Sequence, residues 1–465
     1  MQKYIFNKYD IRGVVGTELV IEEVEQLTHA IISFYQKYNS SITKIAIAMD
    51  GRLHSQEIYK RVAQAIIDRG LQGYFLGVCP TPVFVFGLYR LPVQAGIMIT
   101  GSHHSKEYNG FKLYLDKKSV YDTQIEEIYQ IFLENRYPLA STPGKIVPSP
   151  ILDQYVESIW QDFSHLSHYD FSMIIDGSHG VVGSVINKLI AKMKWKRVLC
   201  INDQSDGHFP MHDPDPCDIK NMQQLRRLLL KTDKAFGIGF DGDAGRMIAM
   251  EHDGKLILGD RLLALFAKDI LTTKQNSVII YDIRSSMLVR EVVEKCNGQA
   301  IVSSVGAPLV KKMMEQHHAL LGGEMSGHYF FKDRHPGYDD GIYALFRLLD
   351  ILVKERKSLH ELLLELPEKY SSDEIRIPCP EEQKHGIIKK IFDEVVEKKK
   401  WKISQVDGIR AETTHGWGLL RACNTQAMVS FRCEAKDKQN LLKVKNEFKE
   451  LLKPYINETV LKDFF

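Results

Sequence analysis

One pattern recurs three times along the chain: a short run of β-forming residues ends at an acidic side chain, and a helix-like segment follows. The runs are KIAIAMDGR at 44–52, FSMIIDGSHG at 171–180 and SVIIYDIRSS at 277–286, with the acids at Asp50, Asp176 and Asp282. The recurrence predicts three α/β units of similar plan, with chemistry carried by loops at the carboxyl ends of strands. Coincidence stays open, because strands that end in aspartate are common in α/β proteins.

The length and the last ninety or so residues set the domain plan. A chain of 465 residues is expected to form several hydrophobic cores. After the turn-rich stretch LPEKYSSDEIRIPCPEE the pattern reads as helix, strands and helix, with AMVSFRCEA a strand and QNLLKVKNEFKELLK a helix. We predict three α/β domains with mixed sheets plus a smaller C-terminal α+β domain, bounded at 1–147, 148–250, 251–369 and 370–465.

Composition excludes several classes of protein. The formal net charge is only +2, so no whole-molecule field favours nucleic acid, although a local phosphate-binding cleft is compatible with it. The seven cysteines include no C-x-x-C pair, which is typical of a reducing cytoplasm. No signal-peptide pattern and no apolar run of roughly 18 residues is present, so we expect a soluble, unexported chain without a membrane partner.

The segment IMITGSHHSKEYNGFK at 97–112 is the first loop with candidate chemistry. Ser102 follows the apolar run QAGIMI, so its hydroxyl is expected at the carboxyl end of a strand, where ligands bind in α/β sheets. His103 and Lys112 are close enough in sequence to orient or deprotonate groups beside it. The alternative is an ordinary turn with solvated side chains.

The segment FGIGFDGDAGRM at 236–247 is the second loop. Asp241 and Asp243 leave a strand with glycine between them, an arrangement that can offer two carboxylates to Mg²⁺. Arg246 is placed to contact a phosphate through both arms of its guanidinium. Aspartate and glycine also form ordinary turns, so a metal site and a turn both remain open.

Two further loops carry polar residues in binding patterns. LLGGEMSGHYFF at 320–331 sets Glu324, Ser326 and His328 on alternating positions, which suits sugar hydroxyls. HGWGLLRACNTQAMVSF at 415–431 places its polar residues between two strands, as in a phosphate cradle; these are Arg421, Asn424 and Thr425. Glu324 could instead cap a helix, and Arg421 could pair with a surface acid.

In this order and spacing the four loops resemble the α-D-phosphohexomutase family, most closely its bifunctional phosphomannomutase/phosphoglucomutase branch. The resemblance runs nearly end to end, through KYDIRGVVG, TGSHHSKEYNGFK, GFDGDAGR, DRLLALFAKD, LLGGEMSGHYFF, GYDDGIYALFRLLDIL and GWGLLRACNT. It implies four domains around a central cleft, each contributing one loop. It also implies an enzyme that interconverts hexose 1-phosphate and hexose 6-phosphate through a phosphoserine and a 1,6-bisphosphate.

The resemblance implies a role for each matched residue. Ser102 would carry the phosphate and bind Mg²⁺ through it, together with Asp241 and Asp243. The other residues implied to be catalytic are Arg12, His103, Lys112 and His328, with Lys112 and His328 as proton-transfer groups. Those implied to bind the phosphosugar substrate are Tyr9, Arg246, Arg284, Glu324, Ser326, Arg421, Asn424 and Thr425. A hexose 1,6-bisphosphate would act as activator.

Several family positions are changed in this chain. Gly245 replaces the third aspartate of D-G-D-x-D-R, which should weaken Mg²⁺ binding. Ala307 stands where the branch usually has a substrate-facing histidine, and Arg284 where it usually has lysine. Cys423 replaces the serine of R-A-S-N-T, which removes a strong hydroxyl donor. The serine loop reads S-H-H-S instead of S-H-N-P.

These changes leave two alternatives to an active mutase. The chain could be an impaired or inactive relative that binds phosphosugars, or a phosphatase in which water takes the phosphoryl group from Ser102. The retained Ser102, Lys112, Asp241, Asp243 and GEMSGH segment favour the mutase. The sequence leaves open the preference between mannose and glucose, the oligomeric state and any protein partner.

Overall fold

The computed structural model describes residues 1–232, 236–397, 401–422, 428–457 and 460–461. The chain divides into two compact units, Met1–Leu262 with Ser326–His360 and Leu263–Met325 with Glu361–Phe465. Among the described residues no helix is both long and apolar enough to cross a membrane.

The helices bury one apolar face each. The segment that follows the first β-forming run is helical, as predicted. Its apolar residues recur every four positions and are completely buried, namely Ile58, Val62 and Ile66. The α-helices are α1 (Val24–Tyr38), α2 (Ser55–Asp68), α3 (Thr81–Arg90), α4 (Thr123–Glu134), α5 (Leu152–Phe163), α6 (Gly183–Met193), α7 (Gln223–Leu229), α8 (Gly259–Thr273), α9 (Met287–Lys295), α10 (Ala307–Gln316), α11 (Gly341–Glu355), α12 (Leu359–Leu364), α13 (Glu381–Glu397) and α14 (Lys438–Leu452). Short 3₁₀ helices cover Lys3–Ile5, Ile21–Glu23 and Ser164–His168.

The first sheet is mixed. Its strands are β1 (Ile11–Val14), β2 (Lys44–Met49), β3 (Gln72–Val78), β4 (Ala95–Ile99), β5 (Tyr108–Leu115), β6 (Lys118–Ser119) and β7 (Lys145–Pro148). They lie in the order β1-β5-β4-β2-β3-β7, with β6 beside β5. Strand β2 runs parallel to β3 and β4, and β5 runs antiparallel to β1 and β4. Its core combines β2 with one face of α1 and α2.

The next two sheets repeat that plan. The strands of the second are β8 (Met173–Asp176), β9 (Val198–Ile201), β10 (Phe236–Phe240), β11 (Met247–Met250) and β12 (Leu256–Ile257), in the order β12-β11-β10-β8-β9. The third has β13 (Val278–Asp282) between β14 (Gln299–Ser303) and β15 (Leu321–Gly323), both parallel to it. A further strand, β16, covers Tyr329–Phe331.

The predicted threefold recurrence is confirmed. Strands β2, β8 and β13 are the three runs singled out in the sequence, and each lies between two parallel neighbours. Their acids are buried at the carboxyl ends and accept hydrogen bonds from the loops that follow. Asp50 accepts from the Ser55 hydroxyl and Asp282 from the Ser285 hydroxyl. The acids therefore fix the loop that leaves each central strand.

The C-terminal α+β fold is confirmed, with one correction. Two short strands, β17 (Tyr370–Ser371) and β18 (Ile375–Pro378), precede α13, where the sequence had suggested that the domain begins with a helix. Strands β19 (Lys402–Ser404), β20 (Ile409–Glu412), β21 (Gly416–Ala422) and β22 (Met428–Ala435) complete an antiparallel sheet. Turn residues around β17 and β18 hid strands this short from a pattern of alternation.

Candidate active site

Ser102 lies just past the end of β4, as predicted, and its hydroxyl is held by a carboxylate. The Ser102 O–H donates to Asp241 Oδ2 over 2.7 Å, and the Ser102 amide donates to the Thr100 hydroxyl oxygen over 2.8 Å. The side chain is only 3% exposed and φ is +50°, a left-handed conformation that is uncommon for residues other than glycine. Such strain is concentrated at functional sites, where the surroundings enforce it.

Arg52 fixes the loop around Ser102, a role that the sequence analysis missed. Its guanidinium donates to the backbone carbonyl oxygens of Ser102, His104, Ser105 and Tyr108. A Cβ on Gly101 would lie 2.4 Å from the Arg52 Cζ, so only glycine permits this close approach. The signal in the sequence was the charged residue directly after the Asp50–Gly51 strand end.

Asp243 receives several donors on one oxygen and none on the other. Its Oδ2 accepts from the Lys112 ammonium over 2.6 Å, from the Thr81 hydroxyl over 2.6 Å and from the Thr100 hydroxyl over 3.2 Å. Its Oδ1 is buried and has no hydrogen-bond partner among the residues that the structure describes. Lys112, which the sequence predicts to act near Ser102, thus pairs with Asp243, two residues from the aspartate that accepts from the Ser102 hydroxyl. Thr81 and Thr100 were not predicted.

Burial and charge set the protonation of these groups. Burial, together with the charge of Asp243, raises the pKa of Asp241. Burial alone would also raise the pKa of Asp243, but the Lys112 ammonium outweighs it and holds the Asp243 pKa well below its usual range. Burial by itself would lower the pKa of Lys112, but the charges of Asp243 and Asp339 raise it. Lys112 is therefore an ammonium and Asp243 a carboxylate.

The two aspartates fit a hard cation. Both are completely buried, and an unpartnered buried carboxylate oxygen such as Asp243 Oδ1 is costly unless a positive charge occupies the space beside it. Mg²⁺ prefers oxygen ligands of this kind. A Cβ on Gly245 would lie 3.6 Å from Asp243 Oδ1 and 3.5 Å from Asp339 Oδ2, so the missing third side chain would have pointed into this group.

Arg246 joins Asp241 to two histidines. Its amide donates to Asp241 Oδ1 over 2.9 Å, its Nε donates to His328 Nε2 over 3.2 Å, and its Nη2 lies 3.4 Å from His103 Nε2. Burial and then the Arg246 charge lower the pKa of His103 well below its usual range. The same two causes lower the pKa of His328 to about 3. Both rings are therefore neutral imidazoles beside a fixed guanidinium.

Arg12 approaches the same loop from β1. Its Nη1 donates to the Gly101 carbonyl over 3.1 Å and lies 2.9 Å from His104 Nδ1, while Asp10 pairs with Nη2. Tyr9 is half-buried in the segment before β1. The structure thus brings Arg12, Ser102, the two aspartates and Arg246 into one polar cluster of the first unit, which local sequence patterns could not establish.

The predicted sugar-binding segment runs across the boundary between the two units. Glu324 lies in the second unit, where its Oε1 accepts from the Gly306 amide just before α10 over 2.7 Å. The helix-capping alternative for Glu324 is therefore present in the structure. Arg284 donates to Asp282 over 2.7 Å, and its Nη2 lies 3.7 Å from Glu324 Oε1. Ser326 is buried in the first unit, as is His328.

The predicted phosphate cradle is described only in part. Arg421 lies at the end of β21 and donates to Asp407 Oδ2 over 2.9 Å, so the alternative of a pairing acid is also observed. The remaining predicted residues of this loop lie outside the described part of the chain; these are Cys423, Asn424 and Thr425. Ala307, the first residue of α10, is half-buried.

Comparison with known proteins is consistent along the whole chain. Phosphoglucomutase/phosphomannomutase family profiles match in order: alpha/beta/alpha domain I at 3–138, domain II at 153–254, domain III at 258–370 and the C-terminal domain at 374–451. The chain is 34% identical to phosphomannomutase/phosphoglucomutase of Pseudomonas aeruginosa over 452 residues, which cover 97% of this chain and 95% of that protein. It is 33% identical to phosphoglucomutase of Neisseria gonorrhoeae, covering 96% of each chain.

Solved structures agree with the sequence relatives. The fold matches the crystal structure of a phosphoglucomutase/phosphomannomutase family protein from Burkholderia thailandensis with a TM-score of 0.89 and 31% identity, over 98% of each chain. Both kinds of comparison thus cover almost the full length of the chain. The chain therefore belongs to the α-D-phosphohexomutase family, in its phosphomannomutase/phosphoglucomutase branch.

Proposed function

We propose that this protein interconverts hexose 1-phosphate and hexose 6-phosphate of mannose, glucose or both, using Ser102 as the phosphate carrier. The observation that carries the proposal is the setting of the Ser102 hydroxyl. It lies 2.7 Å from Asp241, in a group with the partnerless Asp243 oxygen and with Arg246. Phosphoryl transfer requires mainly alignment and neutralisation of charge, and this group supplies both.

The proposed cycle exchanges one phosphoryl group at a time. The bond between phosphorus and Ser102 Oγ breaks as the free sugar hydroxyl attacks, which gives the hexose 1,6-bisphosphate and a serine hydroxyl. After the bisphosphate turns over, Ser102 Oγ attacks the other phosphate and releases the isomeric monophosphate. Phosphate, charge and protons balance, because each attacking hydroxyl gives up one proton and each leaving oxygen takes one. A trace of 1,6-bisphosphate would act as activator by loading Ser102.

We propose Mg²⁺ as the cofactor, held by Asp241, Asp243 and the phosphate on Ser102. Bound there, the ion would neutralise charge on the transferring phosphoryl group. The buried Asp243 Oδ1 supports this assignment, while Gly245 makes the site poorer by one carboxylate than the family pattern. The Arg246 amide donates to Asp241 Oδ1 and so helps to hold that carboxylate in place.

Proton transfer and charge stabilisation fall to neighbouring side chains. Lys112 is an ammonium and so carries the proton that a leaving oxygen would take, although its raised pKa makes it a weaker acid than a group that titrates near neutral pH. His328 is a neutral imidazole and would act as the proton acceptor, although its lowered pKa makes it a weaker base than an ordinary histidine. Arg12 and Arg246 would stabilise the phosphoryl group, and His103 would orient it.

Residues other than those of the Ser102 cluster are proposed to bind the substrate. Glu324 and Ser326 would grip sugar hydroxyls, with Arg284 oriented by Asp282. Arg421 would hold the phosphate that is not being transferred, which requires it to exchange Asp407 for that phosphate. Tyr9, Asn424 and Thr425 complete the proposed substrate set.

We further propose the four-domain division at 1–147, 148–250, 251–369 and 370–465 and a cytoplasmic location. The threefold recurrence of the sheet order supports the division. The location is supported by the cysteine usage, since no disulfide joins the cysteines within the described residues.

Phosphorus NMR of the purified protein tests the function. The reaction contains Mg²⁺, mannose 1-phosphate or glucose 1-phosphate, and a trace of the matching 1,6-bisphosphate. We expect conversion to the 6-phosphate that is lost in Ser102→Ala and kept in Ser105→Ala, a control in the same loop. Release of inorganic phosphate without isomerised sugar would indicate a phosphatase. If neither sugar is converted, the protein is an inactive relative.

A further inference from the structure

Away from the Ser102 cluster, two imidazoles and a carboxylate converge at the turn between β11 and β12. The residues are Glu251 and His252 in the turn and His360, the second residue of α12. One ring nitrogen of each histidine and one carboxylate oxygen all lie within 4.8 Å of one another. Glu251 and His360 are 109 positions apart in sequence, so the tertiary fold brings them together.

The turn that carries two of these residues is well defined. The Glu251 amide donates to the Lys255 carbonyl over 2.9 Å, and the Gly254 amide donates back to the Glu251 carbonyl over 2.9 Å. Gly254 has a φ of +79°, which glycine adopts without strain. Glu251 and His252 are therefore presented from a closed turn, and such rigid support favours a preformed binding site.

The burial of the three side chains suits an ion that enters from solvent. The Glu251 side chain is 7% exposed, while that of His360 is 44% exposed. His360 Nδ1 lies 2.6 Å from Glu251 Oε2, and the two histidine rings meet edge to face with centroids 5.0 Å apart. A buried carboxylate needs hydrogen-bond donors or a positive charge beside it, and either an imidazole N–H or a bound cation can fill that place next to Glu251.

We propose that Glu251, His252 and His360 form a binding site for a divalent transition metal of the Zn²⁺ type, separate from the proposed Mg²⁺ site. Two imidazole nitrogens and one carboxylate oxygen are a typical Zn²⁺ ligand set with water in the remaining position. Mg²⁺ prefers all-oxygen surroundings and is disfavoured by the two imidazoles.

Binding requires only small side-chain movements. Ligand atoms about 2.0–2.1 Å from one Zn²⁺ lie about 3.4 Å apart in a tetrahedral site. The distance between His360 Nδ1 and Glu251 Oε2 must therefore lengthen from 2.6 Å, and any proton shared between them must leave the two ligand atoms, as the ion enters. The bound ion would join the β11–β12 turn to α12.

Zinc titration of the full-length protein by calorimetry tests the proposal. All proteins in the series carry Asp243→Asn, so that the oxygen site near Ser102 does not take up the ion. We expect one Zn²⁺ per chain, with affinity lowered at least about tenfold by His252→Asn, His360→Asn or Glu251→Gln. His317→Asn, which alters an exposed histidine elsewhere, should leave the affinity unchanged.

Co²⁺ in place of Zn²⁺ provides a second readout. We expect visible absorption bands of low-coordinate cobalt that disappear in His252→Asn and His360→Asn, while circular dichroism shows that both variants are folded. The proposal is overturned if the parent protein binds no Zn²⁺, or if the variants bind it as tightly as the parent does. Because mutase activity in Mg²⁺ does not require this site, its presence or loss leaves the proposed function untouched.

Discussion

At the scale of single residues, the most consequential position is Gly245. Its φ is not left-handed, so a larger residue meets no backbone strain there. A Cβ at this position would make ordinary contacts with Asp339 and Asp243 and a tighter one, 3.3 Å, with His328 Cε1. A Cβ therefore fits at position 245 if His328 gives way by a few tenths of an ångström, and it would lie beside Asp243 and Asp339.

Restoring the third carboxylate of the family pattern should strengthen Mg²⁺ binding. We predict that Gly245→Asp tightens Mg²⁺ about tenfold, or ~1.4 kcal/mol, because a third carboxylate adds charge at the cation. Without Mg²⁺ the same variant should be less stable than the parent, since it buries another acid beside Asp243 and Asp339. Calorimetric titration and thermal unfolding with and without Mg²⁺ measure both effects.

Gly245→Asn is the matched control for size. It adds nearly the same volume without charge, so it should leave Mg²⁺ affinity within about threefold of the parent. Equal gains from both substitutions would mean that packing at position 245, and not charge, limits binding.

At the scale of elements, the loop after β4 depends on a side chain from the loop after β2. Arg52 donates to carbonyl oxygens of the Ser102 loop, and lysine cannot reproduce that planar fork. We predict that Arg52→Lys costs about 3 kcal/mol of unfolding free energy through unmade hydrogen bonds. It should also speed amide hydrogen exchange at residues 101–108 and slow phosphate uptake by Ser102.

Arg69→Lys provides the control for burying a lysine in the same domain. Arg69 is also buried and donates to His29, Ser33 and Gln36, away from the Ser102 loop. We expect a similar loss of stability with unchanged exchange at residues 101–108. If both variants slow phosphate uptake equally, Arg52 acts through general stability alone.

The acid at the end of β8 gives a pH-dependent prediction. Burial by itself lowers the pKa of His212, but the hydrogen bond and charge of Asp176, 3.2 Å away, outweigh it and raise the pKa above the usual 6.5. A raised folded-state pKa stabilises the protein fully below the unfolded-state pKa, and this contribution disappears as pH rises through the folded-state value.

We therefore expect His212→Asn to destabilise the protein more near about pH 5 than near about pH 9. Urea unfolding of parent and variant across this range measures the difference. The exposed His208, which pairs with Asp206, provides the control, since His208→Asn should change stability little at either pH. A loss for His212→Asn that is the same at both pH values would show that its ion pair with Asp176 is unimportant.

At the scale of the whole molecule, the sugar would bind in two orientations, with either its 1-phosphate or its 6-phosphate end at Ser102. In both orientations the other phosphate would lie on Arg421. We predict that Arg421→Lys raises KM for hexose 1-phosphate and hexose 6-phosphate by similar factors, about tenfold each, because lysine loses the two-armed contact with phosphate. Steady-state kinetics in both directions measures this. Arg376→Lys, at an exposed ion pair with Glu374, should change neither value. A rise in only one direction would contradict a shared phosphate position.

Much of this architecture could be predicted from short sequence patterns. Strand ends at Asp50, Asp176 and Asp282 established the three α/β units, and Ser102 and Asp241 lie where strand-to-loop patterns place them. These features are local, because alternation and turn residues act over a few positions.

What the sequence did not predict is long-range. Arg52 reaches the Ser102 loop across 50 residues, and Thr81 reaches Asp243 across 162. No local pattern encodes such contacts. Arg52 and Ser102 follow two neighbouring parallel strands of one sheet, β2 and β4, whose carboxyl ends meet at one edge. Thr81 follows a strand of the first sheet and Asp243 a strand of the second, so they meet only through the tertiary fold. The pairing of Lys112 on β5 with Asp243 after β10 likewise joins two different sheets.

The central claim is that the phosphoryl group travels on Ser102. The most direct test incubates the protein with hexose 1,6-bisphosphate that is labelled in its phosphate groups and locates the transferred label by mass spectrometry. Unlabelled hexose 1-phosphate is then added. We predict one label per chain on Ser102 that passes completely into sugar bisphosphate or hexose 6-phosphate on the addition. Conversion of sugar by protein that never carries phosphate on Ser102 would contradict the account.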